Sequence, residues 1–415
     1  MKVFREIYIH HNLADCHLIY LTMTFMKIIY KTWLLLLGLT LSVTPLNSQT
    51  NSCLTEGDYY YNLQDYAEAL NKYEGCLSLD TSNVVLHENA AMSAYRLGDV
   101  PRARTLYQAV EKLDSSNRQA LAQLATIYEQ QKNTPKTILY YNKLIKLYPK
   151  NSIYYRKVAQ QFQSAGIMTD AIKNYSNAHK LNARDLFTIK GLSELFISNS
   201  QYQEADSIIN FGLQMDSMNI SLRLLIAQSK YRQKAYDSTV VYLESIIGRL
   251  DFNAYYNKML GYSYIQIDSF EKAIPVLEKS LTDPGIKENA HYYLATAYYE
   301  LENMEYSKFH YEKALEEGIS KNVDLYHRVL AKMYNEEKNL SKAIDHYKDA
   351  YKYGKDPLVL FYLARAADVN YKNKNIAINY YSKYYKSKHD NTEYIKYSKG
   401  RIRQLKELKH QKVAK

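Results

Sequence analysis

Histidines and cysteines are the residues of this chain whose types and spacing could do chemistry. Eleven histidines are present, and His87, His291 and His327 fall at equivalent places of a repeating pattern. Imidazole is a common metal ligand, so one interpretation is a ligand set. The other interpretation is packing, which we favour because the three residues lie far apart along a chain of stacked units. The sequence therefore predicts no metal site and no cofactor.

No familiar catalytic motif accompanies these residues. The chain contains no HExxH, CxxC, GxxxxGK[ST] or GxSxG, the patterns of zinc hydrolases, redox dithiols, phosphate-binding loops and nucleophilic serines. Beyond the first 48 residues, the repeats described below leave only one C-terminal helix. Because no separate catalytic domain fits in that remainder, we predict no catalytic residues and no enzymatic activity.

The three cysteines are Cys16, Cys53 and Cys76. Cys53 and Cys76 lie near opposite ends of two helices that we expect to be antiparallel, so an oxidising compartment would allow a disulfide between them. Such a bond would brace the first repeat. Two free thiols remain the alternative, because a disulfide requires a favourable geometry of the helix pair.

Residues 26–49 have the layout of a secretory signal peptide. Two lysines precede an uncharged run over 33–43, which is too short to span a bilayer and is followed by the small residue Ser48. We therefore expect a leader over 1–48 with its true start at Met26, and export to the periplasm or another envelope location. An uncleaved anchor is the alternative. In the chain that would remain after cleavage, no segment is apolar enough to cross a membrane.

A helical pattern recurs about every 34 residues through the rest of the chain. Two columns of small residues lie twelve positions apart, with a polar break between them, which lets two antiparallel helices cross closely. The second small column is Ala69, Ala103, Thr137, Ala171, Ala205, Thr239, Ala273, Ser307, Ala343 and Ala377. Four residues later comes a bulky column: Tyr73, Tyr107, Tyr141, Tyr175, Ile209, Leu243, Leu277, Tyr311, Tyr347 and Tyr381. The first small column is Gly57, Ala91, Ala125, Ala159, Ser193, Ala227, Gly261, Ala295 and Ala331, followed in the tenth unit by Arg365 with Ala364 beside it.

These columns predict an all-α fold. Each helix has only about a dozen residues and would be marginal alone in water, so its stability must come from stacking on its neighbours. The low glycine and proline content also argues against a fold with many β-turns. We expect helical hairpins over 49–389, followed by a basic capping helix and tail over 390–415.

The pattern resembles the tetratricopeptide repeat family. The resemblance rests on the 34-residue period, on LGYSYIQ (260–266) and LATAYYE (294–300), and on AIDHYKDA (343–350). It covers about residues 50–389, although the family's early tryptophan is missing from every repeat. The resemblance implies a right-handed α–α superhelix, a solenoid of about ten helical hairpins. It further implies that the first helices line a concave groove that binds peptides or proteins.

By the geometry of that family, one column of the first helices faces the groove. We expect its members and their neighbours to bind an extended peptide, with tyrosines giving contact area and cations binding carboxylates or phosphates. The candidate groove residues are Arg156, Gln160, Lys190, Gln228, Tyr231, Lys258, Tyr262, Tyr292, Tyr299, Arg328 and Lys332. The alternative is a solvated face that binds nothing.

Positive charge is concentrated at the C-terminus. Residues 357–415 hold fourteen basic and four acidic side chains, whereas the body before them is close to neutral. A stripe of Ile395, Ile402, Leu405 and Leu408 suits a helix that covers the last repeat. The cations of this cap are Lys399, Arg401, Arg403, Lys406 and Lys409. They would either keep the cap soluble or attract an anionic envelope surface or an acidic partner.

Together these features predict an exported, non-catalytic scaffold for protein or peptide partners. The main alternative is a regulatory or sensor subunit that works with a separate signalling chain. Related helical repeats bind RNA, but export argues against nucleic acid as the partner. An enzyme with a site built from the repeats is the remaining alternative.

Overall fold

The computed structural model describes residues 54–247, 253–318, 321–387 and 391–413, together with positions 26, 27, 29, 31, 32 and 52. Side chains are described as far as residue 409. The predicted leader over 1–48 lies almost wholly outside the described residues, and Cys53 lies outside them too. The residues that are described are almost entirely helical, which confirms the predicted all-α fold.

The chain divides into two compact units, Met1–Gly191 and Leu192–Lys415, called unit 1 and unit 2 below. Unit 1 contains α1 (54–62), α2 (Tyr66–Leu77), α3 (Val84–Leu97), α4 (Val100–Leu113), α5 (Arg118–Gln130), α6 (Thr134–Leu147), α7 (Ser152–Ser164) and α8 (Met168–Leu181). Helix α9 (Leu186–Ser198) passes through the division.

Unit 2 continues the same alternation of helices. It contains α10 (Tyr202–Met215), α11 (Ile220–Arg232), α12 (Tyr236–Glu244), α13 (Ala254–Gln266), α14 (Phe270–Ser280), α15 (Pro284–Glu300), α16 (Met304–Glu316), α17 (Val323–Glu336), α18 (Leu340–Gly354), α19 (Pro357–Asn370), α20 (Lys374–Lys386) and α21 (Thr392–Val413). Within unit 1 the helices from α2 to α8 each pack on the next, and those from α10 to α21 do so in unit 2.

The predicted columns form the core of these hairpins. Every residue of the second small column is 0% exposed, and no member of the bulky column is more than 6% exposed. A Cβ atom at Gly57 would collide with the ring of Tyr73, and one at Gly261 would collide with Leu277. The bulky residue of each of these hairpins therefore fills the space that the small residue leaves, as the sequence predicts.

In the tenth repeat, Ala364 takes the buried place of the first small column. Ala364 is 0% exposed, whereas Arg365 is exposed at the surface of α19. The buried Ala377 lies thirteen residues after Ala364 instead of twelve. The extra residue belongs to the end of α19, because the loop over 371–373 is no longer than the loop over 337–339 in the preceding hairpin.

One residue of every hairpin turn except the turn between α19 and α20 has a left-handed backbone conformation. The residues are Gln64, Gly98, Lys132, Gly166, Ser200, Lys234, Asp268, Glu302 and Lys338, with φ between 54° and 88°. A side chain that caps the second helix commonly follows: Asp99 accepts a hydrogen bond from the backbone N–H of Arg102 at 3.1 Å. Where a hairpin has both, the turn and the cap fix where its second helix begins.

Helix α21 covers the last hairpin, as predicted, by packing on α20. Leu405 is fully buried, and Ile395 and Ile402 are half-buried. The predicted stripe is wrong at Leu408, which is 49% exposed. Lys409 Nζ lies 3.3 Å from Asn375 Oδ1, at the beginning of α20, so α21 reaches the end of its partner helix near Leu408.

Candidate functional site

Arg156 of α7 binds the beginning of the next repeat. Its Nε atom lies 3.0 Å from Asp185 Oδ2, and its guanidinium lies 5.4 Å from the centre of the Phe187 ring. Asp185 immediately precedes α9 and accepts hydrogen bonds from the backbone N–H of Phe187 (3.2 Å) and the hydroxyl of Thr188 (2.7 Å). The Arg156 side chain is 17% exposed, so this predicted groove cation is largely committed to a structural contact.

The other candidates of unit 1 are Gln160 and Lys190. Gln160 is half-buried on α7, one residue after the fully buried Ala159, and Lys190 is exposed on α9. Neither lines the cavity described below. A groove site that includes them stays a prediction.

Lys258 of α13 is also constrained by its surroundings. Its Nζ atom lies 5.8 Å from the centre of the Tyr255 ring. Burial lowers the pKa of Lys258, and the nearby carboxylate of Asp283 offsets part of that effect. Lys258 is thus a partly desolvated cation and is a weaker candidate for binding a ligand than the sequence indicated.

The predicted contact tyrosines of unit 2 pack mainly on other tyrosines. Tyr231, Tyr236 and Tyr262 form a triangle with ring centres 5.6 to 6.0 Å apart, and Tyr293 lies 4.7 Å from Tyr262. Burial raises the pKa of Tyr231 and of Tyr262. The cluster therefore contributes to the core as well as to the surface.

Two further candidates are Tyr292, which borders this cluster, and Gln228, which lies on the same helix as Tyr231. Tyr292 lies 5.5 Å from Tyr293 and 5.3 Å from Tyr326, measured between ring centres, and Gln228 is half-buried on α11. Neither side chain stands alone in solvent. Much of the ring area that the sequence assigned to a partner is thus used between adjacent helices.

Lys332 of α17 is exposed and contacts Tyr299 of α15. Its Nζ atom lies 3.3 Å from Tyr299 Oη and 5.8 Å from the centre of that ring. The hydrogen bond to Tyr299 raises the pKa of Lys332, so its charge persists at neutral pH. This pair of predicted groove residues is brought together by the fold.

Arg328 of α17 makes the same kind of contact as Arg156. It lies 3.1 Å from Asp356, the residue that caps α19, and 3.3 Å from Asp324 one turn earlier in its own helix. Its side chain is 39% exposed, more than twice the value for Arg156. Arg328 thus joins two repeats and still faces solvent.

A cavity of about 710 Å³ opens beside Arg328, between α17 and α19. Its volume lies within the range of about 300–1,000 Å³ that is usual for ligand sites. The α17–α19 cavity is lined by Leu325, Arg328, Val329, Lys332, Asn335, Leu340, Tyr347, Asp356, Leu358, Val359, Tyr362, Arg365, Ala366 and Val369. Three of these side chains are cations and one is a carboxylate, so the lining combines a net positive charge with apolar walls.

Sequence reasoning identified Arg328 and Lys332 but missed the opposite wall of the cavity. Arg365 was treated only as a break in the small column and was not related to Lys332. In the structure both cations directly follow a buried small residue, Ala331 or Ala364. That register was a signal from which Arg365 could have been found.

The three histidines at equivalent positions make contacts close to their own helices. His291 and His327 each contact a histidine of their own hairpin rather than a neighbouring repeat. His87 Nε2 lies 3.0 Å from the carbonyl oxygen of Thr81. Among the residues that the structure describes, no group of three or more His, Cys, Asp or Glu side chains could hold a metal ion.

Cys76 of α2 is 2% exposed and is disulfide-bonded. Because Cys53 lies outside the described residues, the pairing of Cys53 with Cys76 stays a prediction.

The cap cations divide into one that forms an ion pair and four that are exposed. Arg401 donates to both carboxylate oxygens of the buried Asp368, at 2.6 and 3.3 Å. Lys399 lies over the ring of Tyr385 at 4.8 Å. Arg403, Lys406 and Lys409 are exposed as well. Arg401 therefore fixes α21 to α19, and the other four face solvent.

Every helix among the described residues is too short or too polar to cross a bilayer.

Tetratricopeptide repeat family models match residues 50–83 and 89–152. No curated protein matches the chain. A solved tetratricopeptide repeat protein from Parabacteroides merdae is 15% identical, with a TM-score of 0.41, over 60% of this chain and 99% of that one. YrrB, described as a TPR protein with an unusual peptide-binding site, is 18% identical, with a TM-score of 0.39, over 43% of this chain and 91% of that one. PilF of Pseudomonas aeruginosa is 16% identical, with a TM-score of 0.38, over 49% of this chain and 92% of that one.

The matched segments cover the first repeats, and the buried small column continues through Ala377 at steps of 34 residues, with a single step of 36 between Ser307 and Ala343. Proteins of this repeat family are generally non-catalytic and bind protein or peptide partners. The chain is a tetratricopeptide repeat protein.

Proposed function

We propose that this protein is an exported, non-catalytic scaffold that binds a peptide segment of a partner protein in the α17–α19 cavity. The observation that carries the proposal is the lining of that cavity, where Arg328, Lys332 and Arg365 stand beside leucine and valine side chains. Convergent polar groups on an apolar floor are typical of ligand sites. The periplasmic or envelope location rests on the leader pattern in the sequence.

The chemistry of the cavity favours an extended segment with a carboxylate or phosphate group next to an apolar side chain. Arg328 is held by Asp324 and Asp356, so it is placed in advance for a ligand and loses little side-chain freedom on binding. Lys332 and Arg365 are exposed and present cations from α17 and α19, the two facing helices of the cavity. Leu325 and Leu358 supply apolar surface on the same two walls.

An array of acidic, apolar peptides, read by fluorescence polarisation, tests this proposal. We expect a subset to bind the purified protein, and Lys332→Glu with Arg365→Glu to weaken that binding at least about tenfold, because a charge-assisted hydrogen bond contributes roughly 1.5–3 kcal/mol. Lys279→Glu is the matched control, since Lys279 is an exposed cation of α14 away from the cavity. Equal losses in the cavity variant and in the control would contradict the proposal.

A second proposed role belongs to the cap, which we propose attaches the protein to an anionic envelope surface. Lys399, Arg403, Lys406 and Lys409 are exposed, while the apolar side of α21 is turned toward the last hairpin. Attachment would therefore be electrostatic and would weaken with salt.

Co-sedimentation with vesicles tests this role of the cap. We expect binding to vesicles that contain phosphatidylglycerol, no binding to pure phosphatidylcholine, and release at high salt. Arg403→Gln with Lys406→Gln should reduce binding, whereas Lys279→Gln should not. Binding that does not depend on anionic lipid would contradict this role, and so would a preference for RNA over the anionic vesicles.

A further inference from the structure

Two successive hairpins of unit 2 are each crossed by a pair of histidines. His291 of α15 and His310 of α16 have their Nδ1 atoms 3.0 Å apart. His327 of α17 and His346 of α18 have theirs 3.0 Å apart as well. Both pairs have ring centres separated by 5.2 Å. We call the two pairs the histidine clasps.

The geometry of each clasp is that of one hydrogen bond between two rings. Because the ring centres are much farther apart than the Nδ1 atoms, the two nitrogens lie between the rings and point toward each other. A neutral imidazole can donate through one ring nitrogen and accept through the other, so two neutral rings can share one proton along this line. A clasp also survives one additional proton. Two additional protons place two N–H groups and two positive charges against each other.

Each clasp is enclosed by aromatic rings in an equivalent way. His310 is 7% exposed and stacks on Tyr298, with ring centres 5.5 Å apart and planes 5° apart. His346 stacks on Tyr334 with the same separation and an angle of 10°. The hydrocarbon faces of these tyrosines keep water from the imidazoles and disfavour their charged forms.

The ionisable groups around the two clasps differ in net charge. Around His291 and His310 they are Lys287, Lys313, Glu316 and Glu317. Around His327 and His346 they are Glu312, Asp324, Asp345, Asp349 and Lys352. The first set is balanced, whereas the second is mostly acidic and eases the first protonation of its clasp. The clasp of α15 and α16 is therefore the more resistant to proton uptake.

We propose that the histidine clasps are a proton-sensitive device that holds the α15–α16 and α17–α18 hairpins closed at neutral pH and releases them in mild acid. This proposal deepens the proposed function. The opening of the hairpins stands by itself, whereas its effect on ligand binding rests on the proposed function. His327 and His346 immediately precede Arg328 and Tyr347, which line the α17–α19 cavity. Loosening of α17 against α18 would therefore disturb the wall that binds the ligand.

The direction of the pH dependence follows from burial. Burial lowers the pKa of all four histidines below the ordinary value of 6.5, and lowers that of His310 to about 4. The unfolded chain then binds protons more readily than the folded chain. The stability that the clasps provide is fully present above about pH 6.5, and it is lost as the pH falls toward about 4.

Hydrogen exchange of the purified full chain at about pH 7.5 and about pH 5.0, corrected for the intrinsic exchange rate, tests the device. Protection over α15–α18 should fall about tenfold more than protection over α3–α6, since each unit of pKa difference corresponds to a factor of ten. The double variant His310→Phe and His346→Phe keeps ring stacking but cannot be protonated there, and should remove most of the extra loss. His87→Phe in unit 1 should leave the loss unchanged.

Three results would overturn the proposal. The first is an equal loss of protection in α15–α18 and in α3–α6, and the second is an unchanged loss of protection in the double variant. The third is an increase in the protection of α15–α18 on addition of Zn²⁺ that does not occur in the double variant, because it would make the clasps metal sites. If the double variant is unfolded at about pH 7.5, His291→Phe with His327→Phe tests the same point from the other side of each clasp.

The coupling to ligand binding is measured separately with a peptide selected on the array. Its affinity should fall between about pH 7.5 and about pH 5.0 in the wild type, and fall less in the double variant. Parallel falls in the two proteins would overturn the coupling. A failure of all peptides to bind at about pH 7.5 would instead contradict the proposed function, while the exchange experiment would still decide whether the clasps open in acid.

Discussion

Arg156 in unit 1 and Arg328 in unit 2 occupy equivalent places, and both reach an aspartate that begins a later helix. Arg156 is largely covered, with its guanidinium on Phe187. Arg328 is more exposed and lines a cavity of about 710 Å³. The arginine–aspartate contact is therefore a structural link between repeats, and it does not by itself make a binding site.

The surroundings of the two arginines differ in the residue that follows the buried small position. In unit 1 this residue is never a cation, because the four repeats carry Asp58, Met92, Thr126 and Gln160 there. In the last two repeats of unit 2 it is a cation, Lys332 or Arg365, and both line the cavity. One scaffold position thus provides packing in one region and ligand chemistry in another.

Overfilling the small column should have the largest effect, and a similar effect in both units. Ala125→Leu in α5 and Ala331→Leu in α17 force extra methyl groups into a closed helix crossing, so we expect each to cost about 3 kcal/mol locally. Hydrogen exchange of the altered hairpin measures this better than a global unfolding curve, because repeat arrays do not always unfold in one step.

Ala125→Ser is the matched control for that prediction, because Ser193 occupies the same column and is 0% exposed. A much smaller loss is expected. If the leucine variants lose no more stability than the serine variant, the crossing is not as tight as the buried columns indicate.

Removal of the aspartates that pair with Arg156 and Arg328 should lower stability more in unit 1 than in unit 2. Asp185→Ala deletes a helix cap and the partner of the mostly covered Arg156, so we expect a loss of about 2 kcal/mol. Asp356→Ala also deletes a cap, but Arg328 keeps Asp324 and is more solvated, so a loss of about 1 kcal/mol is expected. Local exchange in α9 and α19 measures both. The reverse order would contradict the view that Arg156 is the more structural of the two.

Substitutions at the left-handed residues of the hairpin turns should change stability least, with opposite signs in the two units. Gly98→Ala places a Cβ on a left-handed residue with φ of 88° and should cost about 1 kcal/mol. Lys338→Gly relieves the same conformation in unit 2 and should stabilise by a few tenths of a kcal/mol. Gly75→Ala is the control, since Gly75 lies inside α2 with open space around it and should gain about 0.5–1 kcal/mol. Loss of stability in Lys338→Gly would show that the turn is not strained.

The period of small and bulky residues was enough to predict the hairpins, because a close helix crossing tolerates few side chains. The left-handed turns were harder to predict, since Lys132 or Glu302 carries no sequence sign of the strain that a glycine would have signalled. The cavity could not be predicted either. Whether a cation faces a ligand or a neighbouring aspartate depends on its distance to residues about 28 positions away, and Arg156 and Arg328 look alike in sequence.

Site-specific photo-crosslinking in intact cells tests the central claim most directly. A photoreactive residue at Val369, which is 74% exposed at the lip of the cavity, should capture a partner protein, and Arg365→Glu should abolish the capture. The same residue at Leu147, which is 42% exposed in unit 1, should capture far less of that partner. Equal capture at both positions, or capture at Val369 that is indifferent to Arg365→Glu, would contradict the assignment of ligand binding to the last repeats.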